Sequence, residues 1–443
     1  MNLRSNSLKS AQLFDRAQRT MPGGNTRYTT FTPPHPVYLQ RGEGAYVFDA
    51  DGRKYLDLQN NFTTLIHGHC FEPVTEALKR QLDLGSCFSN PTESEIGLAE
   101  LLCARVPFFD SVRFMNTGTE AVMTAIKAAR AFTGRAKVAK AEGGYHGAYD
   151  YVEVSLDAGP ENWGAQTPNS IPFCEGTPDF VLSNTVVFPY NRQAAAERAL
   201  TPHLDDLACV IIDPVPARVA AEPLEAGFLH WLRDFTSRHG ILLISDEVLS
   251  FRVSSAGAMA LLGVTPDLCT FGKIIGGGLP IGALGGAEDI MALFDPRHGK
   301  PAVPQAGTFT ANPLSMVAGL AAMEAMDAER FRQLDRLGEE ARNGIRALAA
   351  KADLPIQVTG FASLFRLHFT ETPPIDYRSC YHGPMERKRR DGFVRALWDA
   401  GLLIAPTGLG VLSTAMTAAD IDHLLDRFAD VLGRLVELEA QRA

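Results

Sequence analysis

Between about Val112 and Leu284, short apolar runs alternate with stretches whose apolar residues recur three and four positions apart. The runs Val112–Met115, Lys137–Ala141, Val186–Pro189, Ala208–Asp213, Ile241–Asp246 and Leu268–Phe271 read as strands. Between the fourth and fifth, Phe228, Leu229, Leu232 and Phe235 lie at helical spacing, and Gly240 follows as a stop. This alternation predicts an α/β fold with a mostly parallel sheet covered by helices on both faces. The pattern differs on either side. Ser7 to Thr20 reads as a helix stopped by Pro22-Gly23-Gly24, and Tyr38–Leu58 as an antiparallel meander turning at Gly42, Gly44, Asp51 and Gly52. Beyond Pro313 the chain is Ala-rich and helical. A mixed segment (Ile356–Phe369), a break from Thr372 to Pro384 and a last helix follow. Thr417 and Asp420 resemble a capping box for that helix, and Ile421, Leu424, Leu425, Phe428, Val431, Leu432 and Leu435 form its apolar stripe. We expect an N-terminal segment (1–75), a large domain (76–318) and a C-terminal part (319–443), with the two ends building one smaller α+β domain.

Composition changes the picture by exclusion. With 42 Lys+Arg against 51 Asp+Glu, the formal charge is −9, which argues against nucleic-acid binding and against a basic membrane surface. No apolar run is long enough for a spanning helix, and the first residues carry no signal-peptide pattern. The seven cysteines are scattered, without a CxxC, which points to a reducing cytoplasm.

Four signals stand at predicted strand ends, where open α/β sheets hold ligands. Asn116-Thr117-Gly118-Thr119-Glu120 opens a helix and reads either as a phosphate site or as an N-cap. Gly143-Gly144-Tyr145-His146-Gly147 presents an aromatic ring that can stack on a planar ligand or be buried under a loop. Ser245-Asp246-Glu247-Val248 places a carboxylate where it can accept from a protonated ring nitrogen, or cap a helix. Lys273 lies in an apolar stretch before Gly276-Gly277-Gly278. Burial there favours a neutral, nucleophilic amine, whereas exposure would make it an ordinary surface lysine. A phosphate cup, a stacking ring, a carboxylate and a lysine together match the needs of pyridoxal phosphate.

With MPGGNTR, RGEGAYVFDADGRKYLD, NTGTEA, GGYHG, SDEV, GKIIGGGLPIGALGG and GTFTANPL in this order, the chain resembles the fold type I, class III pyridoxal-phosphate aminotransferases. It is most similar to the branch holding glutamate-1-semialdehyde aminomutase and β-phenylalanine aminotransferase. The resemblance implies that Lys273 holds the cofactor as a Schiff base and then acts as a base. It implies that Asp246 keeps the pyridine nitrogen protonated. Tyr145, with His146 beside it, and Val248 would enclose the ring, and Thr117, Gly118 and Thr119 would bind the phosphate. Gly307 and Thr308 of a neighbouring subunit would complete the phosphate cup, implying a homodimer with shared active sites. Arg27 would bind a substrate carboxylate, and Phe62 would line the substrate pocket.

Two departures bear on specificity. The family's Glu-Pro before SDEV is Asp213-Pro214 here, with no amide following, so the partner of the cofactor's phenolate oxygen stays open. Arg218 can serve it, meet substrate or face solvent. The Ala405–Ser413 loop carries neither the arginine of the β-phenylalanine enzyme nor the acid of the aminomutase. His67-Gly68-His69, two histidines two apart, is weak evidence for a metal and is not read as a metal site. The first reading is therefore an aminotransferase acting on a β-amino acid or related amino compound as donor, with an α-keto acid acceptor. The alternative is an aminomutase-like isomerase. A cofactor-bearing sensor would need a DNA-binding domain, for which there is no room before Met21.

Overall fold

A computed structural model of the chain describes residues 8–440. Contacts divide it into two units. One comprises 1–71, 332–373 and 382–443, and the other comprises 72–331 and 374–381. The sequence placed the second boundary at 318. The structure carries the large unit on to Phe331, because the helix Pro313–Glu324 packs on the helices Glu72–Leu84 and Glu93–Arg105. It also returns Pro374–Tyr381, from within the expected break, to the large unit.

In the smaller unit the N-terminal helix runs Leu8–Ala17. The meander is β1 (Leu39–Glu43), β2 (Tyr46–Asp49) and β3 (Lys54–Asp57), each pair antiparallel.

The large unit holds a sheet of seven strands: β4 (Ser111–Met115), β5 (Lys137–Ala141), β6 (Thr185–Phe188), β7 (Leu207–Ile212), β8 (Leu242–Asp246), β9 (Leu268–Gly272) and β10 (Gly282–Gly286). Their spatial order is β4-β10-β9-β8-β7-β5-β6. The pairs from β9 to β6 are parallel, and β10 runs antiparallel to both its neighbours. Side chains alternate between faces along a strand. Val210, Ile212 and Leu243 accordingly join one apolar cluster with the helix Ala226–Arg238. Cys209, Ile211, Leu242 and Ile244 join another with the helix Gly118–Thr133. Both faces are covered, as the alternating pattern predicts.

The smaller unit is completed by β11 (Gln357–Thr359), β12 (Leu364–His368), β13 (Leu402–Leu403) and β14 (Leu409–Val411). β13 adds to the meander parallel to β3, while β11-β12-β14 form an antiparallel sheet. The last helix starts at Ala418, where the Thr417 N–H and hydroxyl both donate to Asp420. Among the described residues no helix is long and apolar enough to cross a membrane.

Candidate active site

The C-terminal ends of β4, β5, β8 and β9 bring four of the sequence signals together in the large unit. Asp246 ends β8, buried at 5% exposure. Its Oδ1 accepts from the Val248 backbone N–H (3.1 Å) and from the Thr270 hydroxyl (3.0 Å). The second bond follows from register, because Asp246 pairs with Thr270 across β8 and β9. Oδ2 lies 2.8 Å from His146 Nδ1, so that nitrogen carries the proton and donates. Burial lowers the His146 pKa, against the opposing pull of Asp246, and favours the neutral ring. A carboxylate accepts about four hydrogen bonds. The three described leave capacity on Oδ2 for one further donor, such as a ring N–H.

His146 Nε2 and Tyr190 Oη are buried atoms without a hydrogen-bond partner in the structure. Both face Gly144, where a Cβ would stand 2.7 Å from Tyr190 Oη and 2.9 Å from His146 Nε2. Only glycine lets the backbone pass here. Tyr145, next in the turn, is half exposed, as a ring available for stacking must be.

Lys273 follows β9 with φ +51°, a left-handed conformation uncommon for a side-chain-bearing residue and a mark of functional strain. Burial of its amine lowers its pKa, Asp246 and Asp213 oppose that shift, and Arg252 reinforces it. Asp213 is itself pushed up to about 7 by burial and by nearby Asp246. Glu247 is fully buried and pushed up to about 7, with the N–H groups of Ala258 and Met259 donating to it.

The helix Gly118–Thr133 opens at the end of β4. The Thr117 hydroxyl oxygen accepts from the Glu120 N–H (3.1 Å), and that of Thr119 accepts from the Ala148 N–H (3.1 Å). Both hydroxyl hydrogens stay available to an anion, as do the first N–H groups of a helix sixteen residues long. The N-cap and phosphate readings are thus compatible. A Cβ on Gly118 would stand 2.9 Å from both Val248 methyl carbons, and one on Gly272 3.3 Å from Val248 Cγ1. Two glycines and Val248 therefore form a cradle that side chains would fill. With the open acceptor on Asp246 and a desolvated lysine, these residues fit pyridoxal phosphate.

Other sequence candidates lie around or apart from this cluster. Gly307 and Thr308 are exposed, in a segment tied to β4 by Arg113 Nε donating to Gln305 Oε1 (3.0 Å). A Cβ on Gly307 would stand 3.6 Å from Asn116 Nδ2. Arg218 donates to Asp157 and to the Leu156 carbonyl (3.2 Å). Arg27 and Phe62 belong to the smaller unit. Arg27 Nη1 donates to Asn61 Oδ1 (2.8 Å), and its guanidinium lies 5.9 Å from the Phe62 ring centre. Asn60, Asn61, Phe62 and Thr63 all have positive φ, between 45° and 75°. Such a left-handed turn costs roughly 1–2 kcal/mol per residue. Asp57 Oδ1 offsets it by accepting the Asn60 N–H, and Asn60 Nδ2 donates to the Asp57 and Val411 carbonyls. His67 lies 2.8 Å from the Thr414 hydroxyl and His69 2.7 Å from Asp57. Among the described residues no group of His, Cys, Asp and Glu could hold a metal.

Sequence reasoning missed Thr270 and Tyr190, and gave Gly272 no role of its own within the lysine motif. The register of β8 against β9 would have pointed to Thr270, but register is not visible in a single sequence. Tyr190 follows a strand and carries no motif.

A family model for class III aminotransferases matches residues 29–434. A glutamate-1-semialdehyde 2,1-aminomutase of Methanosphaera stadtmanae is 38% identical over 96% of this chain and 99% of its own length. The crystal structure of an omega-transaminase from Sphaerobacter thermophilus superposes with a TM-score of 0.94 at 46% identity, over 97% of this chain and 98% of that one. A transaminase with PLP bound gives 0.90 at 41% identity, over 97% and 98%. On this match of nearly its whole length, and on a site that fits the cofactor, the chain belongs to the class III aminotransferase family of fold type I enzymes, with pyridoxal phosphate as its cofactor.

Proposed function

We propose that this chain moves an amino group on a carboxylated small molecule, with Lys273 as the covalent anchor of the cofactor and as the moving base. When bound, pyridoxal phosphate supplies the electron sink for negative charge at the carbon bearing the nitrogen. The remaining roles belong to the chain. Burial lowers the Lys273 pKa and so favours the neutral amine, the form that can act as a nucleophile and carry a proton at that carbon. Asp246 holds a proton on the ring nitrogen, and His146 orients Asp246. Val248 and Tyr145 confine the ring. Thr117, Gly118 and Thr119 hold the phosphate at the helix start. The observation that carries this reading is the Asp246 carboxylate, satisfied on three sides and open on the fourth, in the same cluster as a desolvated lysine.

The names of the curated relatives back the intramolecular alternative, aminomutase-like transfer within one molecule, better than the first reading of transfer between two. Transfer between a donor amine and a keto acid is favoured by the Ala405–Ser413 loop, which has no acidic residue, and by the two transaminase structures at 46% and 41% identity. Acceptor dependence separates them. Turnover without added keto acid supports the isomerase, and strict dependence on one supports the transaminase.

The homodimer with shared sites rests on exposed Phe309 (60%), beside Gly307 and Thr308, and on exposed Leu84 and Phe88 of the same unit. The seven cysteines are free thiols, which supports a reducing compartment such as the cytoplasm.

A further inference from the structure

Pro374–Tyr381 leaves the smaller unit in sequence and packs within the large one, yet it contains no motif. Its polar side chains reach loops that follow neighbouring strands. After β5, Arg378 forks onto Glu142, with Nε 2.8 Å from Oε2 and Nη2 3.0 Å from Oε1. The remaining guanidinium donors reach the carbonyls of Gly164 (2.7 Å) and Trp163 (2.6 Å). Tyr377 lies against Gly143, where a Cβ would stand 1.9 Å from its ring, and its hydroxyl donates to the Ala158 carbonyl (2.8 Å). After β6, Asn191 Nδ2 donates to the Ile375 carbonyl (3.0 Å) and Arg192 Nε to Asp376 Oδ2 (2.7 Å). After β7, Cys380 Sγ lies 3.4 Å from the Val219 carbonyl oxygen.

Glu142 and Gly143 directly precede the turn carrying Tyr145 and His146. Glu142 is 1% exposed. A buried carboxylate is costly unless paired, and a bidentate guanidinium that also donates to two backbone carbonyls is a geometry that repays that cost. The fork therefore fixes where the chain enters the turn, and the Tyr377 ring closes it from the side that Gly143 leaves open. Three residues past Gly143, His146 must keep its Nδ1 at 2.8 Å from Asp246. A rigid entry is what that distance demands.

We propose that Arg378 and Glu142 are positioning residues, which hold Tyr145 and His146 in register with Asp246. This rests on the functional reading above, in which Asp246 and Tyr145 serve the cofactor. The outer anchor, the Arg192–Asp376 pair, grips the same segment but leaves the turn untouched, so it serves as the control for a merely structural role. Arg378→Lys keeps the charge but loses the fork, and Glu142→Gln keeps the shape but loses the charge.

Each variant holoenzyme is examined for kcat, KM, melting temperature and the visible circular dichroism of the bound cofactor. A proton NMR signal from His146 Nδ1–H, assigned by its loss in His146→Gln, reads the turn whether or not a cofactor sits on Lys273. Failure of the functional reading therefore shows separately. Arg378→Lys and Glu142→Gln should each lower kcat about tenfold or more with KM little changed. Both should weaken the dichroic band and shift or broaden the His146 signal. Arg192→Ala should lower the melting temperature and leave all three in place. The proposal is overturned by an unchanged His146 signal and dichroic band in both fork variants. It is equally overturned if Arg192→Ala reproduces their losses.

Discussion

Replacing Asp246 by Asn removes one charge and almost nothing else. The amide oxygen can still accept from the Val248 N–H and the Thr270 hydroxyl. The amide nitrogen then faces His146 Nδ1, which becomes an acceptor when the ring proton moves to Nε2, a buried atom that has no partner in the present structure. The fold should therefore survive with cofactor bound. What is lost is the charged acceptor for a protonated ring nitrogen. Hydrogen bonds to charged groups contribute about 1.5–3 kcal/mol in such settings. At 1.4 kcal/mol per factor of ten, that predicts a fall in rate of roughly ten- to 150-fold. The assay is a single-turnover half-reaction, followed by the conversion of the cofactor spectrum at saturating amine and normalised to bound cofactor. A near-normal rate at full cofactor content would refute the role. A loss of cofactor without a rate change per bound cofactor would move Asp246 from chemistry to retention.

Thr308→Ala should weaken cofactor retention by about 1–3 kcal/mol if its hydroxyl completes the partner's phosphate cup; a fully active, cofactor-loaded monomer in sedimentation would contradict the shared site. Arg27→Ala should lower kcat/KM for carboxylated substrates by roughly 30-fold to several thousand-fold, from about 2–5 kcal/mol for an unpaired charge, and affect simple amines far less. An equal fall for both would assign Arg27 to the fold. Burial lowers the Lys140 amine to about 7, from an ordinary value near 10.5. Between those values the unfolded chain holds a proton that the folded chain lacks, so this group makes stability rise with pH. Melts of wild type and Lys140→Met at about pH 7.5 and about pH 9.5 should show the wild type gaining relative to the variant; a constant difference would reject that assignment.

What the sequence made legible follows from where local pattern decides structure. Lys137–Ala141 is a strand from end to end as read, and the other runs differ at their ends by a residue or so. The runs at Val186, Ala208 and Ile241 are apolar on both faces, and helical periodicity flanks the series. β10 escaped, because Gly282-Ala283-Leu284-Gly285-Gly286 has poor strand propensity. It is a strand because it pairs along its whole length with both β4 and β9, and its glycines answer a close approach: a Cβ on Gly282 would stand 2.0 Å from the Thr117 carbonyl oxygen. The same limit hid the Pro374–Tyr381 segment. Its polar residues read as a loop, and their partners Glu142 and Arg192 lie some two hundred residues away. Asp246 and Lys273 were legible because their chemistry needs fixed residue types beside fixed glycines. The left-handed turn at Asn60–Thr63 was not, since its support comes from Asp57 and the distant Val411 carbonyl.

Lys273 is proposed above as the residue that carries the cofactor. The chain offers an internal rival in Lys140, also buried and also shifted downward by burial, whose Nζ is engaged by the carbonyls of Ala141 and Val154. Borohydride reduction of the pyridoxal-phosphate-loaded protein, followed by peptide mapping, tells them apart. The reduced cofactor is expected on the peptide containing Lys273, and none should be trapped in Lys273→Ala. Label on Lys140 or any other lysine, or undiminished trapping in Lys273→Ala, would contradict it.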